Sequence, residues 1–187
     1  MKYQFFRALL FFSIYWISPL SAQLDTTIEF RTAAFFPTDN LFRHIYGTAG
    51  PSFQFEGAYR FCGCYQGWIN LDLFTKTGHV KHCGKTTIDI YNMSFGPKYL
   101  YPIYNCVDAY GGIGLSLARV HINNHSCGNG KESKLGVGGI LKSGINIYLD
   151  YNLVLDVFCD YLFQRARFRQ NVDVGGFKLG AGIGVRF

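Results

Sequence analysis

The sequence predicts an all-β chain that folds as an eight-stranded antiparallel transmembrane β-barrel. Three observations lead to this prediction. Apolar and polar residues alternate with a period of two along eight stretches, which is typical of strands with one apolar face. The connections between these stretches alternate between long and short. Aromatic residues make up 18% of the chain, yet no later stretch approaches the ~20 apolar residues of a membrane-spanning helix.

The beginning of the chain is set apart from this alternation. Lys2 and Arg7 precede an apolar run, Ala8–Ile17, and small residues follow it as far as Ala22. This layout is typical of a secretory signal peptide. We therefore expect residues 1–22 to be a signal peptide and residues 23–187 to form one barrel domain. Removing Lys2 and Arg7 lowers the formal net charge from +6 to +4, which indicates no nucleic-acid partner.

The first strand is predicted over Thr26–Phe36, where apolar residues alternate with charged ones, and Pro37 ends it. A long connection, Thr38–Ser52, follows. Its middle predicts a short helix that ends at Gly47, a residue favoured at helix C-termini.

Strands two, three and four are predicted over Phe53–Phe61, Trp68–Thr75 and Thr87–Tyr101. The connection between the third and fourth strands, Lys76–Lys85, is polar. The fourth strand changes phase, since Ile88 and Ile90 have the opposite parity from the aromatic residues that follow Tyr91. A β-bulge near Ile90–Tyr91 would reconcile the two halves.

The remaining strands are predicted over Val107–Arg119, Leu135–Leu149, Leu153–Arg167 and the last stretch, Val174–Phe187. A long polar loop, His121–Lys134, separates the fifth and sixth strands. Because the long connections follow strands one, three and five, we expect both termini in the periplasm. Terminal alternation that ends on Phe187 resembles the signal that the barrel-assembly machinery reads.

The residues that carry a family resemblance are the segment 41–47 (LFRHIYG), the glycine-rich start of the sixth strand at 136–139 (GVGG), and the final stretch 174–187. On these the chain resembles the small outer-membrane barrels of the OmpX and OmpA transmembrane type. Within that class it is similar to the Cys-containing barrel proteins of chlamydia-like intracellular bacteria. The resemblance implies a bacterial outer-membrane location and no particular activity.

Charged residues of the barrel fall on the parity that faces away from lipid. An eight-stranded barrel is just wide enough for side chains to fill it, so we expect these charges to pair with each other in a plugged lumen. Inward glycines would leave room for the long cations, and a proton or ion path is the alternative. The predicted lumen network comprises Glu29, Arg31, Glu56, Arg60, Asp72, Lys98, Lys142, Asp156, Asp160, Lys178 and Arg186.

Basic residues cluster where the later strands reach the outer rim. Arginine can bind phosphate with two hydrogen bonds, so this set predicts a contact surface for lipopolysaccharide. A solvated basic edge that limits aggregation is the alternative. The set comprises Arg119, Lys131, Lys134, Arg165, Arg167 and Arg169, with the two lysines placed in the loop before the sixth strand.

Histidines and cysteines concentrate in the two outer connections. These are His79, His82, Cys83, His121, His125 and Cys127. A Cys83–Cys127 disulfide is the plainer prediction, because the spacings match no standard zinc module, and a zinc or copper site is the alternative. We expect neither a metal nor a cofactor. At the periplasmic side Cys106 could pair with Cys62 or Cys64, whereas Cys159 is expected as a free thiol on the lipid face.

The leading functional prediction is a non-enzymatic outer-membrane protein with a structural or surface-exposed, adhesive role. Its expected partners are outer-membrane lipid, lipopolysaccharide, the barrel-assembly machinery and host surface molecules. Two alternatives stay open. One is a lipid A-modifying enzyme, an acyltransferase or deacylase, with His121, His125 and Ser126 as candidates by location. The other is a small porin, which the strand number disfavours.

Overall fold

The computed structural model describes residues 25–80, 84–124, 131–149, 152–167 and 171–187. These residues form one short helix and nine strands. The elements are β1 (Asp25–Pro37), α1 (Asn40–Tyr46), β2 (Gly50–Cys62), β3 (Tyr65–Val80), β4 (Gly84–Tyr104), β5 (Val107–Asn124), β6 (Lys131–Tyr148), β7 (Leu153–Arg167), β8 (Asn171–Asp173) and β9 (Gly176–Arg186).

The strands close into an antiparallel barrel. Each strand from β1 to β7 pairs with the next along the chain, β7 also pairs with β9, and β9 pairs with β1. The three-residue β8 pairs with the end of β7, and β8 and β9 together count as the eighth strand of the barrel. The predicted eight-stranded antiparallel barrel is therefore confirmed. The predicted signal peptide, residues 1–22, lies outside the described residues.

The wall of the barrel is apolar outside and polar inside. Phe30, Leu71 and Leu115 are each half exposed or more on the outer surface, whereas Arg31 is completely buried in the lumen. The period-two alternation of each strand produces this division. Such a continuous apolar surface needs a lipid environment, and closure pairs the edge groups of the strands. Among the described residues, no helix is long and apolar enough to span a membrane.

The two ends of the barrel differ, and we name them by what they carry. At the terminal end, the backbone N–H of Thr26 donates to the carbonyl of Phe187 at 3.0 Å. At the helix end, α1 connects β1 to β2. Asp39 caps α1 by accepting a hydrogen bond from the Phe42 N–H at 2.8 Å, and Gly47 ends it with a positive φ of 91°. The predicted helix in this connection is therefore confirmed.

The strands are longer at the helix end than predicted. β3 runs to Val80 and β4 begins at Gly84, so most of the predicted connection Lys76–Lys85 is strand. Likewise β5 runs to Asn124 and β6 begins at Lys131. Backbone pairing extends beyond the apolar band because ladder hydrogen bonds do not depend on side-chain polarity. A prediction from apolar alternation ends the strand too early.

The predicted bulge at Ile90–Tyr91 is wrong. β4 pairs with β3 in unbroken register there, with Ile90 opposite Phe74 and Tyr91 opposite Leu73. Ile88 and Ile90 point into the lumen and are buried, while Tyr91 lies on the outside. The change of phase reflects an apolar lumen at the helix end and no irregularity of the strand.

Candidate functional site

The middle of the lumen holds a cluster of buried charges centred on Glu56. Three cations converge on this carboxylate from different strands. Arg31 Nη1 lies 2.6 Å from Glu56 Oε2, and Lys142 Nζ lies 2.5 Å from the same oxygen. Lys98 Nζ lies 3.0 Å from Oε1. All four side chains are fully or almost fully buried, so their charges are compensated within the lumen.

Two aspartates of β7 balance the cations from the opposite wall. Arg31 Nε lies 2.8 Å from Asp156 Oδ2. Asp160 Oδ2 lies 3.5 Å from Arg31 Nη1 and 3.4 Å from Lys142 Nζ. The Tyr110 hydroxyl accepts from Arg31 Nη2 at 2.9 Å and donates to Asp156 Oδ1 at 3.0 Å. The network therefore ties β1, β2 and β5 to β7 across the lumen.

Aromatic faces and glycines complete the packing around these cations. The Arg31 guanidinium lies 3.6 Å from the centroid of the Phe158 ring, and Lys142 Nζ lies 4.6 Å from that of Trp68. Such contacts are favourable for a desolvated cation. A Cβ at Gly182 would lie 2.7 Å from Arg31 Cγ, and a Cβ at Gly184 would lie 2.5 Å from Glu29 Cγ. Inward glycines thus provide the space that the long side chains occupy.

The other predicted lumen charges also face inward and lie around the central cluster or toward the two ends of the barrel. Lys178 pairs with Asp72 toward the helix end. Glu29 is buried beside the central cluster, directly opposite Glu56 on the neighbouring strand.

At the terminal end Arg60 pairs with Asp108 at 3.1 Å, and both contact the Tyr148 hydroxyl. Arg186 lies over the Tyr148 ring with 5.2 Å between Cζ and the centroid. A cleft of about 750 Å³ opens beside these residues.

An apolar plug fills the lumen at the helix end. Phe42 of α1 packs on Phe74 with ring centroids 6.2 Å apart, and Tyr46 packs on Phe42 with centroids 5.0 Å apart. The plug comprises the buried side chains Phe35, Phe42, Tyr46, Phe74, Ile88, Ile90, Ala118, Val120 and Val174. Burial raises the pKa of the Tyr46 hydroxyl, although its contact with Thr86 Oγ1 at 3.4 Å acts in the opposite direction.

The basic residues predicted for lipopolysaccharide contact are only partly brought together. Arg119 and Arg165 are exposed on the outer face, on β5 and β7. The prediction that Lys131 and Lys134 lie in a loop is wrong, since both belong to β6. Lys134 pairs with the inward-facing Val120 and so has lumen parity, because strand pairing continues past the apolar band.

Three members of the basic set cannot be placed as side chains, and one of them is Lys131 at the start of β6. Arg167 ends β7, with its side chain outside the described set, and Arg169 lies outside the described residues.

The histidines and cysteines are spread over strands and turns. His79 and His121 lie on β3 and β5 and not in loops. Cys64, Cys106 and Cys159 are free thiols, so neither predicted pairing of Cys106, with Cys62 or with Cys64, is present. Among the residues that the structure describes, no three His, Cys, Asp or Glu side chains form a group that could hold a metal ion.

The remaining histidines and cysteines predicted for the outer connections, together with Ser126, lie outside the described residues. They are His82, Cys83, His125, Ser126 and Cys127, so both the predicted Cys83–Cys127 disulfide and the candidate enzyme residues His125 and Ser126 stay predictions.

Several residues of the lumen were not predicted from the sequence. Asp108, Tyr110 and Trp68 have the same inward parity as the predicted charges, so the alternation alone could have found them. The apolar plug could have been recognised from a different feature of the sequence, the reversed parity of Ile88 and Ile90. Only the packing of α1 onto β3 explains that reversal, because apolar inward residues need an apolar partner inside the barrel.

No protein-family model and no curated protein sequence matches the chain. Solved structures with the same architecture do. Neisserial surface protein A has a TM-score of 0.67 at 18% identity, over 87% of this chain and 97% of that one. OprG from Pseudomonas aeruginosa has a TM-score of 0.64 at 15% identity, over 88% and 96%. The attachment invasion locus protein of Yersinia pestis has a TM-score of 0.59 at 17% identity, over 87% and 99%.

These similarities agree with the closed barrel. Identities below 20% establish the architecture and leave activity and partners open. The likeness to barrel proteins of chlamydia-like bacteria stays a prediction. The chain has the fold of the small eight-stranded outer-membrane β-barrels.

Proposed function

We propose that this chain is a non-enzymatic protein of a bacterial outer membrane whose helix end is displayed at the cell surface, in a structural or adhesive role. Its apolar wall would lie in the bilayer and its termini in the periplasm. The filled lumen is the observation that carries the proposal. Ion-paired side chains occupy the middle of the barrel and the apolar plug closes the helix end.

This arrangement favours a surface protein over a small porin. A conducting pore needs a continuous hydrated path, whereas eight strands leave a lumen that side chains fill. Here Glu56 and the two aspartates of β7 compensate the central cations, and the plug adds an apolar barrier above them. The strands that extend past the apolar band at the helix end would project from the membrane and present surface to the environment.

The adhesive part of the proposal has a specific first probe. The Yersinia pestis attachment invasion locus protein has also been crystallised with the heparin analogue sucrose octasulfate. Binding of bacteria that express this chain to heparin-coated beads would be compared with binding of a variant in which residues 38–49 are replaced by a short turn. Adhesion is supported if the beads retain bacteria that express the parent chain and do not retain bacteria that express the variant. Equal retention of bacteria that express the parent chain and of bacteria without it leaves only the structural role.

Two further readouts of the same cells and protein test the alternatives. Purified barrel in planar bilayers should give no channel currents, and currents would support the porin. The lipid A of expressing cells should keep its acylation pattern, as analysed by mass spectrometry. A changed pattern that disappears when His121 is replaced by alanine would support the enzyme and overturn the non-enzymatic proposal.

A further inference from the structure

An apolar groove crosses the outer wall of the barrel. It encloses about 520 Å³, a volume within the range of small-ligand sites. Its walls are two neighbouring rows of outward side chains. One row includes Leu71 and Met93, and the other includes Leu73 and Tyr91. The groove can therefore accept an extended apolar chain lying across the strands.

The groove rises toward the helix end. Residue pairing carries one row from Phe30 on β1, through Leu71 on β3, to Leu117 on β5 and on to Arg165 on β7. Phe30 lies near the middle of β1, whereas Arg165 is two residues from the end of β7. This stagger follows from the tilt of strands in a closed barrel. An occupant would thus extend from the middle of the wall toward the rim.

A second, more polar cavity of about 630 Å³ adjoins the upper end of the groove. Tyr91 and Arg119 line both cavities, and Asp89, His121 and Asn123 line the second. Arg119 Nε donates a hydrogen bond to Ser133 Oγ at 3.3 Å, which helps to orient the guanidinium at the boundary. The Tyr91 and His121 rings meet edge to face with centroids 6.0 Å apart. The site as a whole is apolar below and polar above.

From this juxtaposition we propose that the wall holds one phosphorylated glycolipid of the outer leaflet, with an acyl chain in the groove and a phosphate at Arg119. Arginine matches phosphate oxygens geometrically and by charge. Asp89 and Asn123 supply acceptors for sugar hydroxyls. The inference rests on the proposed function, because only an outward helix end places the polar cavity in the outer leaflet.

Arg119 is the cation that the proposal depends on. Arg165 lies farther along the same rim, two strands away and roughly 10 Å to the side, where Asp173 is its direct cross-strand neighbour. Arg165 is not among the residues that line the groove or the polar cavity. We therefore assign the phosphate to Arg119, which has Leu135 and Tyr91 as its cross-strand neighbours.

The test is a titration of barrel purified from outer membranes and washed free of lipid, followed by native mass spectrometry. The probes are bis-phosphorylated lipid A, dephosphorylated lipid A and phosphatidylglycerol. The parent barrel should bind bis-phosphorylated lipid A about tenfold more tightly than either other lipid. Dephosphorylated lipid A lacks the charge-assisted hydrogen bond to Arg119, and phosphatidylglycerol keeps a phosphate but lacks the sugar hydroxyls that Asp89 and Asn123 would bind. Equal binding of phosphatidylglycerol or of dephosphorylated lipid A would overturn the proposal.

Two variants locate the site, each with a matched control. Arg119→Gln should weaken lipid A binding about tenfold, whereas Arg43→Gln on the exposed face of α1 should not change it. Leu71→Trp should obstruct the groove and weaken binding to a similar degree, whereas Val157→Trp on β7, on the opposite wall, should not. A heat-dependent shift in gel mobility verifies that each variant is folded. The proposed site would be overturned if Arg119→Gln and Leu71→Trp bind lipid A as tightly as the parent, or if the control variants lose as much affinity for lipid A.

Failure of this inference is distinguishable from failure of the proposed function. The lipid titration does not depend on adhesion or on channel currents. A barrel that conducts ions could still bind lipid A in the groove, and a barrel that fails to bind lipid A could still be an adhesive surface protein.

Discussion

Arg31 Nη1 on β1 and Glu56 Oε2 on β2 lie 2.6 Å apart in the middle of the lumen, and both side chains are almost completely buried. They are diagonal neighbours, since Arg31 pairs with Gln54 and Glu56 pairs with Glu29. A buried ion pair contributes little by itself compared with an apolar replacement, but removal of one partner leaves an uncompensated charge. The lumen is therefore sensitive to single changes.

Replacing Glu56 by glutamine should strongly destabilise the barrel. The change removes the carboxylate that Arg31, Lys98 and Lys142 share, and we expect a loss of about 3–5 kcal/mol in the free energy of unfolding. Urea unfolding in detergent micelles, followed by gel mobility, measures it. Asp108→Asn, at the more exposed terminal-end pair, is the control and should cost much less. A Glu56→Gln midpoint equal to the parent's would contradict the central role of this carboxylate.

Replacing Gly182 by valine should destabilise the barrel through overpacking. A Cβ at this position would lie 2.7 Å from Arg31 Cγ, so the arginine would have to leave its contacts. Overpacking of a filled core typically costs about 1–3 kcal/mol. Ala181→Val, one residue earlier and facing outward, is the control. If the two variants unfold at the same urea concentration, the glycine does not serve as space for Arg31.

An arginine on the outer wall tests whether that wall lies in lipid. Leu115→Arg should cost roughly 2–4 kcal/mol when the barrel is unfolded from phospholipid vesicles, the usual penalty near the bilayer midplane. Leu41→Arg on α1 is matched, since Leu41 is 54% exposed and Leu115 is 60% exposed. That control should change stability by less than about 0.5 kcal/mol. A small effect at Leu115 would place this wall in water.

Replacing Phe42 by alanine should loosen the apolar plug without opening a pore. Phe42 is buried against Phe74 and Tyr46, and loss of such a ring typically costs about 3–5 kcal/mol. Unfolding in detergent would show the loss, with Leu41→Ala as the exposed control. Planar-bilayer recordings should remain silent, because the ion-paired cluster still fills the lumen below. Steady currents from Phe42→Ala would mean that the plug alone closes the barrel.

The alternation of residues was sufficient to predict much of the fold. It places charges such as Arg31, Lys98 and Asp160 on the inward face because successive side chains of a strand point to opposite sides. It also predicts the outward position of Cys159. These are local properties of each strand, which is why they can be derived without knowing how strands pair.

Strand ends and partners could not be derived in this way. His121 lies on β5 because backbone pairing persists where side chains turn polar, and Lys134 is inward because register continues past the apolar band. No local pattern distinguishes a polar strand extension from a polar loop.

What the sequence by itself determined, then, is the side of the wall that each residue faces, since that depends only on the two-residue period of a strand. Only the tertiary structure decided which inward charges meet. Glu56 contacts Lys98 from β4 and Lys142 from β6 because closure brings distant strands around one narrow lumen. Closure also places α1 over Phe74 to form the plug, and the strand register aligns Leu73, through Tyr91, with Arg119 near the rim. These contacts depend on the register of all eight strands of the barrel together.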